Sequence, residues 1–369
     1  MPPDEELAIE LPTPWRRDLA EVGAELQQWA EANVGADARV TNTASPGNGM
    51  SSETVLFEMT AGDTHERYAA RLAPSPDVYP VFPEYDIEQQ AKCMQLVRAH
   101  TDVPAPEVRW VELDPKWLGT PFLVMPRIDG DAPPDIPPYV FGGWVAEATP
   151  EQRAAMQRRT LEVLVKLHAL TPENADLAFL ARPRHGRTAL AQQLGHERWY
   201  YEWAREGVSY PLIDRTFAWL DAHLPPEGET VLNWGDARVG NVLYRDFTPV
   251  AVLDWEMSTI GPREVDLAWM IFLHEFFHDM AVRFGMPGMT DFLQRASVIA
   301  EYEALSGHTV QHLDWFEVFA ALRFAIVSVR TSTRGIAYGV MEKPDDLDDL
   351  IMFRGLLEQM LDGTYWDAR

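Results

Sequence analysis

The chain has 369 residues, of which 46% are apolar and 24% are charged, ordinary values for a globular protein with packed cores. Acidic residues outnumber basic ones by 57 to 31, which gives a formal net charge of −26. This balance argues against a nucleic-acid-binding protein, because phosphate binding needs Lys and Arg, and it disfavours an anionic membrane surface. The absence of a long apolar run, of a secretory signal and of any cysteine besides Cys93 predicts no membrane span, no disulfide and a cytoplasmic location.

The first third of the chain predicts a β-rich unit. Residues 17–33 carry apolar side chains at helical spacing and predict an amphipathic helix. A second helix is predicted at 87–99, after a proline-rich stretch. Short β-like runs predict strands at 39–43, 53–60, 66–72, 107–113 and 121–125.

The rest of the chain predicts a mainly helical unit. One stretch, 241–254, instead has two short apolar runs around a turn and predicts a hairpin. The fold class is therefore α+β with two lobes: a β-rich lobe at 1–125, a hinge at 126–130 and a helical lobe at 131–369. The predicted helices of the second lobe are 151–170, 188–205, 212–222, 266–280, 290–305, 315–329 and 347–361.

Three polar residues around that hairpin have the spacing of a phosphoryl-transfer site. Asp236 and Asn241 are five residues apart, and Asp254 follows at the end of the next apolar strand. Phosphoryl transfer needs one carboxylate to orient the acceptor hydroxyl and take its proton, and oxygen ligands for magnesium. Each residue alone could be an ordinary turn residue, since Asp and Asn favour loops, but the three in this order match a kinase catalytic loop.

The segment 231–270 resembles the aminoglycoside phosphotransferase family, which has a two-lobed protein-kinase-like fold. The motifs that carry the resemblance are Trp234-Gly235-Asp236, Asn241, Asp254-Trp255-Glu256 and Asp266-Leu267-Ala268. The nearest branch is that of the acyl-CoA-dehydrogenase-like and actinobacterial phosphotransferases.

This resemblance implies a role for each matching position. Asp236 is expected to be the catalytic base, Asn241 and Asp254 to bind Mg²⁺, and Asp266 to brace the catalytic loop. Trp234 stands where the family has histidine. The resemblance implies that the residue at this position supports the catalytic loop by packing and by a hydrogen bond.

The first lobe supplies candidate nucleotide-binding residues. The sequence SPGNGMSS resembles the family's phosphate loop, in which glycines let backbone N–H groups approach phosphate and serines add hydroxyl donors. Arg71, on the third strand, is the expected cation for the phosphates, and Glu88 on the following helix is its expected acidic partner. The phosphate-loop candidates are Gly47, Gly49, Ser51 and Ser52.

The predicted hinge gives the adenine contacts. If Met125 lines the back of the pocket, Pro126 offers its carbonyl and Ile128 its backbone N–H. Proline accepts hydrogen bonds but cannot donate one, so it suits the first of these two positions only.

The predicted function is an ATP- and magnesium-dependent kinase that phosphorylates a hydroxyl group of a small molecule. The family suggests an aminoglycoside antibiotic as acceptor, which a chain of charge −26 would suit, whereas the nearer branch suggests a hydroxyacyl-CoA. Acidic residues of the later helices could line a cationic site or could form solvated helix faces: Glu275, Asp279, Glu301 and Glu303.

Two other functions stay open. Trp234 and Arg71 motivate a nucleotide-binding pseudokinase with little turnover. His274 and His278 flank Glu275 in an H-E-x-x-H pattern, which on a helix could bind zinc for a hydrolase, with Glu301 or Glu303 as a third ligand. The aromatic residues around that pattern are more typical of a packed core.

Overall fold

The computed structural model describes residues 15–46 and 52–368. Within them the strands are β1 (Arg39–Ala44), β2 (Glu53–Ala61), β3 (Thr64–Leu72), β4 (Trp110–Glu112), β5 (Phe122–Pro126), β6 (Val231–Asn233), β7 (Val242–Arg245), β8 (Thr248–Val252) and β9 (Thr259–Gly261). The helices are α1 (Leu19–Asn33), α2 (Ile87–His100), α3 (Trp144–Glu147), α4 (Pro150–His168), α5 (Ala189–Ala204), α6 (Pro211–Ala222), α7 (Glu264–Arg283), α8 (Arg295–Ser306), α9 (Leu313–Ala337) and α10 (Arg354–Asp362). A search of the described helices finds none with the length and apolar character of a membrane span.

An antiparallel sheet forms the first lobe, with strand order β1-β2-β3-β5-β4. β2 and β3 pair along their whole length because a tight turn at Gly62, with a φ of +55°, joins them. Helix α1 packs on one face, where Val22, Leu26 and Trp29 meet apolar side chains of the sheet. Helix α2 contacts β4 and β5 and contributes its buried residues to the core of the second lobe.

The second lobe is built around α7 and α9. Helix α7 is buried on all sides from Glu264 to Phe276, as expected for a helix in the middle of a lobe. Helices α5, α6 and α8 pack against this pair, and α4 packs against α8. Two small antiparallel pairs, β6–β9 and β7–β8, carry the loops that contain the candidate catalytic residues.

The segment that connects the two lobes, at Asp129 and Gly130, contacts both the sheet and the β7–β8 hairpin. The Asp129 carboxylate forms an ion pair of 2.5 Å with Arg67 of β3, and its carbonyl accepts a hydrogen bond of 2.9 Å from Arg245 of β7. Gly130 lies directly on the β7–β8 hairpin, where a Cβ atom would come within 2.9 Å of Val250. The sheet and the catalytic hairpin are therefore joined through one short segment.

The predicted elements differ from the observed ones mainly at their ends. The helix predicted at 290–305 begins only at Arg295, because Leu293 has a φ of +49° and donates its N–H to Gln157. The helix predicted at 347–361 is divided into a 3-10 turn and α10. At the break, the Ser328 hydroxyl donates to the Leu350 carbonyl and accepts from the Met352 N–H.

Candidate active site

Asp236 lies on the loop after β6, and a buried carboxylate binds the backbone of this loop. Asp266, at the start of α7, accepts the backbone N–H groups of Trp234 at 2.8 Å and Gly235 at 2.9 Å. His168 lies 3.1 Å from the same carboxylate, and Asp266 and His168 are both completely buried. A buried charge with this many partners fixes the loop in one conformation.

Trp234 links this loop to the strand that precedes Asp254. Its indole N–H donates to the Leu253 carbonyl at 2.9 Å, and its ring is fully buried against Trp255. The tryptophan at this position therefore fills space and makes a hydrogen bond between two parts of the candidate site.

Three side chains converge on the Asp236 carboxylate. The Trp269 indole N–H donates at 2.6 Å, the Asn241 amide donates at 2.6 Å, and the Arg238 guanidinium lies at 3.1 Å. Arg238 is also paired with Asp135 at 2.5 Å. Asp236 is thus oriented by several donors while its side chain stays partly exposed.

Asn241 and Asp254 lie on neighbouring backbone segments. The Leu253 N–H donates to the Asn241 carbonyl at 2.8 Å, and Asp254 follows with a φ of +59°. Since the Asn241 amide nitrogen faces Asp236, its side-chain oxygen is the atom left for a metal ion.

Among the described residues of the sheet, one cationic side chain, that of Arg71, reaches the segment that contains Asp254. Arg71 of β3 lies 2.6 Å from Asp254 and 3.2 Å from Glu256, and Glu256 also accepts a 2.7 Å hydrogen bond from the Ser52 hydroxyl. Burial raises the pKa of Asp254 above its usual range; Arg71 opposes the rise, whereas the Glu256 and Asp236 carboxylates add to it. A divalent cation would relieve this crowding of carboxylates, and the oxygens of Asn241 and Asp254 are ligands that magnesium prefers.

The structure does not bring Glu88 to Arg71. Glu88 is half-exposed on the first turn of α2 and pairs with Lys92 at 2.9 Å. The helix turns Ile87 and Ala91 inward instead, so the neighbouring position faces away from β3. The acidic partners of Arg71 are Asp254 and Glu256, and the predicted pair with Glu88 is wrong.

The hinge candidates lie where β5 leaves the sheet. Met125 pairs with Ala69 and Pro126 with Tyr68, and the next residue, Arg127, donates its N–H to the Arg67 carbonyl at 2.8 Å. Ile128 follows, half-buried, beyond the last bond of this ladder. Of the phosphate-loop candidates, Gly47, Gly49 and Ser51 lie outside the described residues, whereas Ser52 is buried against Glu256.

The two histidines of the H-E-x-x-H pattern serve the packing of α7. His274 is buried, with Nδ1 2.7 Å from the Tyr139 hydroxyl and Nε2 3.1 Å from the Met289 carbonyl. The Nδ1 atom of His278 accepts the Met289 N–H at 3.0 Å. In the described part of the chain, no three His, Cys, Asp or Glu side chains are grouped to hold a metal ion, so the geometry gives the zinc reading no third ligand.

A pocket adjoins the catalytic loop on the α7 side. The Asp135–Arg238 ion pair lines one side of it, and side chains of α7, including His274, line another. Gly240 lies beneath the ion pair, since a Cβ atom there would come within 2.6 Å of Arg238 and 2.9 Å of Asp135. The apolar lining includes Met270, Leu273 and Phe277.

Sequence reasoning did not assign Trp269, Arg238, Asp135 or Glu256 to the site. Glu256 was within reach because it belongs to the Asp-Trp-Glu motif, and Arg238 because it lies between Asp236 and Asn241. Trp269 gave no such signal, since a tryptophan in the apolar run DLAWM is typical of a core helix.

Comparison with known proteins agrees with the resemblance. The model of the phosphotransferase enzyme family, APH, matches residues 42–306. The chain belongs to the phosphotransferase enzyme family. Among curated proteins, probable acyl-CoA dehydrogenase IBR3 of Arabidopsis thaliana is 25% identical over 314 residues, which cover 77% of this chain and 35% of that protein. The chain thus spans about a third of the length of that relative.

Solved structures share the fold. A protein of Ralstonia eutropha assigned to the aminoglycoside phosphotransferases superimposes with a TM-score of 0.65 at 20% identity, covering 93% of this chain and 98% of that one. A thermostable mutant of aminoglycoside phosphotransferase APH(4)-Ia, in ternary complex with AMP-PNP and hygromycin B, gives 0.56 at 15% identity and covers 92% and 98%. The predicted family and the predicted two-lobed α+β fold are confirmed.

Proposed function

We propose that the protein transfers the γ-phosphate of ATP to a hydroxyl group of a small molecule. The observation that carries the proposal is the convergence of Asp236, Asn241 and Asp254 beside Arg71. Asn241 bonds to Asp236 at 2.6 Å, and Arg71 of the sheet reaches Asp254 at 2.6 Å. Family membership and the AMP-PNP named with one structural neighbour support ATP as the donor.

In this proposal each polar group has one task. Asp236 orients the acceptor hydroxyl and takes its proton, because Trp269, Asn241 and Arg238 hold its carboxylate in place. Magnesium, when bound, supplies positive charge that balances the phosphate oxygens. Asn241 and Asp254 offer its ligands, Arg71 grips phosphate oxygens, and the backbone of Pro126 and Ile128 faces the base.

The acceptor is proposed to be a small hydroxylated molecule that need not be polycationic. Three of the four acids that could have lined a cationic site form contacts with neighbouring residues instead. Asp279 pairs with Arg283 at 2.7 Å, Glu301 bonds to Gln157 at 2.9 Å, and Glu303 accepts the Val310 N–H at 2.8 Å. An aminoglycoside is therefore less favoured than a metabolite such as a hydroxyacyl thioester, a choice that fits the acyl-CoA in the name of the relative.

A second candidate is a nucleotide-binding protein with little turnover. It is favoured by the contact between Arg71 and Asp254, which occupies a proposed magnesium ligand with a guanidinium. Binding of Mg-ATP without ADP release for any acceptor would select this alternative. The cytoplasmic location stays a prediction.

The first test compares Asp236→Asn with the wild type in an ADP-release assay containing Mg-ATP and aminoglycosides, amino alcohols or hydroxyacyl thioesters. We expect the variant to lose at least about a hundredfold in kcat, because proton transfer by a positioned side chain contributes that much, while its Kd for Mg-ATP changes little. Asp246→Asn in the β7–β8 turn is the matched control, since asparagine tolerates its φ of +49°. Retained turnover in Asp236→Asn would contradict the assigned base.

A further inference from the structure

The segment before α1, residues 15–17, contacts both lobes. On the first lobe, the Arg17 guanidinium pairs with Glu53 at 3.4 Å and donates hydrogen bonds to the carbonyl groups of Ala73 and Leu118. The Arg17 N–H donates to the same Glu53 carboxylate at 3.3 Å. A planar guanidinium with several acceptors around it is held in one orientation, so Arg17 is fixed to the corner of the sheet where β2 begins and β3 ends.

Trp15, at the start of the same segment, lies on α9 of the second lobe. The centre of its ring is 4.1 Å from the Arg334 guanidinium and 5.7 Å from the centre of the Tyr338 ring. Arg334 is 4% exposed. A cation–π contact is stronger where water is excluded, so this contact attaches the segment to the C-terminal end of α9.

The hinge and this segment hold opposite ends of the same pair of strands. The β3–β5 ladder runs from Tyr68 paired with Pro126, where the chain leaves the sheet for the hinge, to Leu72 paired with Phe122. Ala73, whose carbonyl accepts a hydrogen bond from Arg17, follows directly after that last pair. A rotation about the hinge displaces the far end of the ladder most, and this is the end that the segment attaches to α9.

The same end of the sheet also carries the side chains that reach across the cleft. Arg71 pairs there with two acids of the second lobe, and Ser52, which precedes Glu53, donates to Glu256 at 2.7 Å. Under the proposed function, the phosphates of a bound nucleotide compete with these acids for Arg71. The contact of Trp15 with α9 involves neither Arg71 nor its acids, so it persists when nucleotide is present.

We propose that residues 15–17 form a strap that holds this end of the sheet against α9 while nucleotide is bound, and that the strap limits the rate at which the cleft opens to release the nucleotide. The inference rests on the proposed function for the presence of nucleotide in the cleft. Trp15 and Arg17 are the two attachments of the strap, one on each lobe. They act on nucleotide exchange, whereas the transfer step belongs to the side chains around Asp236.

The test is stopped-flow release of the fluorescent nucleotide mant-ADP, with magnesium, from the full chain. We expect Trp15→Ala to raise the release rate at least about fivefold, because the lost cation–π contact stabilises the closed lobes by that factor or more. Arg17→Gln should have a similar effect from the other attachment. Trp219→Ala, which removes a partly buried indole that stacks on His223 within the second lobe, is the control and should stay within about twofold.

The double variant Trp15→Ala/Arg17→Gln distinguishes a strap from two local defects. A strap that is released at one end is released altogether, so the double variant should release mant-ADP no faster than the faster single variant, within about twofold. Two independent defects would instead multiply their rate increases. Multiplied rates, or single variants that release mant-ADP as the wild type does, would overturn the proposal.

A second measurement needs no nucleotide. Arg71→Gln removes the ion pairs across the cleft, and in that background Trp15→Ala should speed amide hydrogen exchange at residues 70–73 at least about threefold, although Trp15 itself packs on α9. Equal exchange with and without Trp15→Ala would reject the strap. If the wild type fails to bind mant-ADP while the exchange rises as expected, the proposed function is rejected and the strap stands.

Discussion

Trp269 is a buried residue of α7 that also contacts the proposed catalytic base on the loop after β6. Its indole ring packs against the Arg323 guanidinium, which lies 4.4 Å from the ring centre, and its N–H donates to the Asp236 carboxylate at 2.6 Å. A short hydrogen bond to a charged acceptor restrains that acceptor in direction as well as in distance. We therefore regard Trp269 as a positioning residue for Asp236.

Trp269→Phe tests this role at the scale of one hydrogen bond. Phenylalanine keeps most of the ring packing and removes the donor, so we expect kcat to fall about tenfold and the Kd for Mg-ATP to stay the same. The measurement is steady-state ADP release together with nucleotide titration. Trp219→Phe, on α6 away from the site, is the control, and an unchanged kcat in Trp269→Phe would remove Trp269 from the site.

At the scale of an element, the loop between β6 and β7 depends on Asp266 of α7. Its carboxylate accepts two backbone N–H groups of the loop and faces His168. The donors are buried, so they have no water to replace a lost partner. The first turn of α7 thus holds the loop that presents Asp236.

Asp266→Ala should lower the free energy of unfolding by about 3 kcal/mol, because it leaves these buried donors unpaired. Urea denaturation measures the loss. Asp221→Ala removes the exposed ion pair with Arg198 and should cost no more than about 1 kcal/mol. Equal effects of the two substitutions would contradict the idea that the loop rests on Asp266.

The periodic spacing of apolar residues made the longer helices and strands predictable, whereas short or irregular elements show no such pattern. Strands β6 and β9 have three residues each, too few for an alternating pattern to stand out. The motif spacing located Asp236, Asn241 and Asp254, whereas Glu88 was chosen only because an acidic partner for Arg71 was expected on the helix after the third strand, and it pairs with Lys92 instead. Trp269, the distant partner of Asp236, and the acidic partners of Arg71 come from segments far along the chain, and no local pattern predicts such contacts.

At the scale of the whole molecule, the excess of acidic residues destabilises the folded state through charge repulsion. A formal charge of −26 produces self-repulsion that salt screens over a distance of about 8 Å at physiological ionic strength. The surface ion pairs offset little of this repulsion, since exposed pairs contribute little each.

We expect the melting temperature to rise by a few degrees between low salt and 0.5 M NaCl, measured by scanning calorimetry, because screening weakens the repulsion. KCl at the same ionic strength should give the same rise, since screening does not depend on which cation is present. A melting temperature that stays constant or falls would contradict a stability limited by net charge.

Two side chains of the first lobe contact acidic side chains of the second lobe across the cleft. Arg71 pairs with Asp254 and Glu256, and Ser52 donates a hydrogen bond to Glu256. One guanidinium serves two carboxylates of the opposite lobe. If the phosphates of a bound nucleotide pair with Arg71, the guanidinium must leave both Asp254 and Glu256. Glu256 then loses its contact with Arg71 and keeps the hydrogen bond from Ser52. Under the proposed function, nucleotide binding would therefore weaken these contacts between the two lobes, so that entry of the donor and rearrangement of the lobes would be coupled.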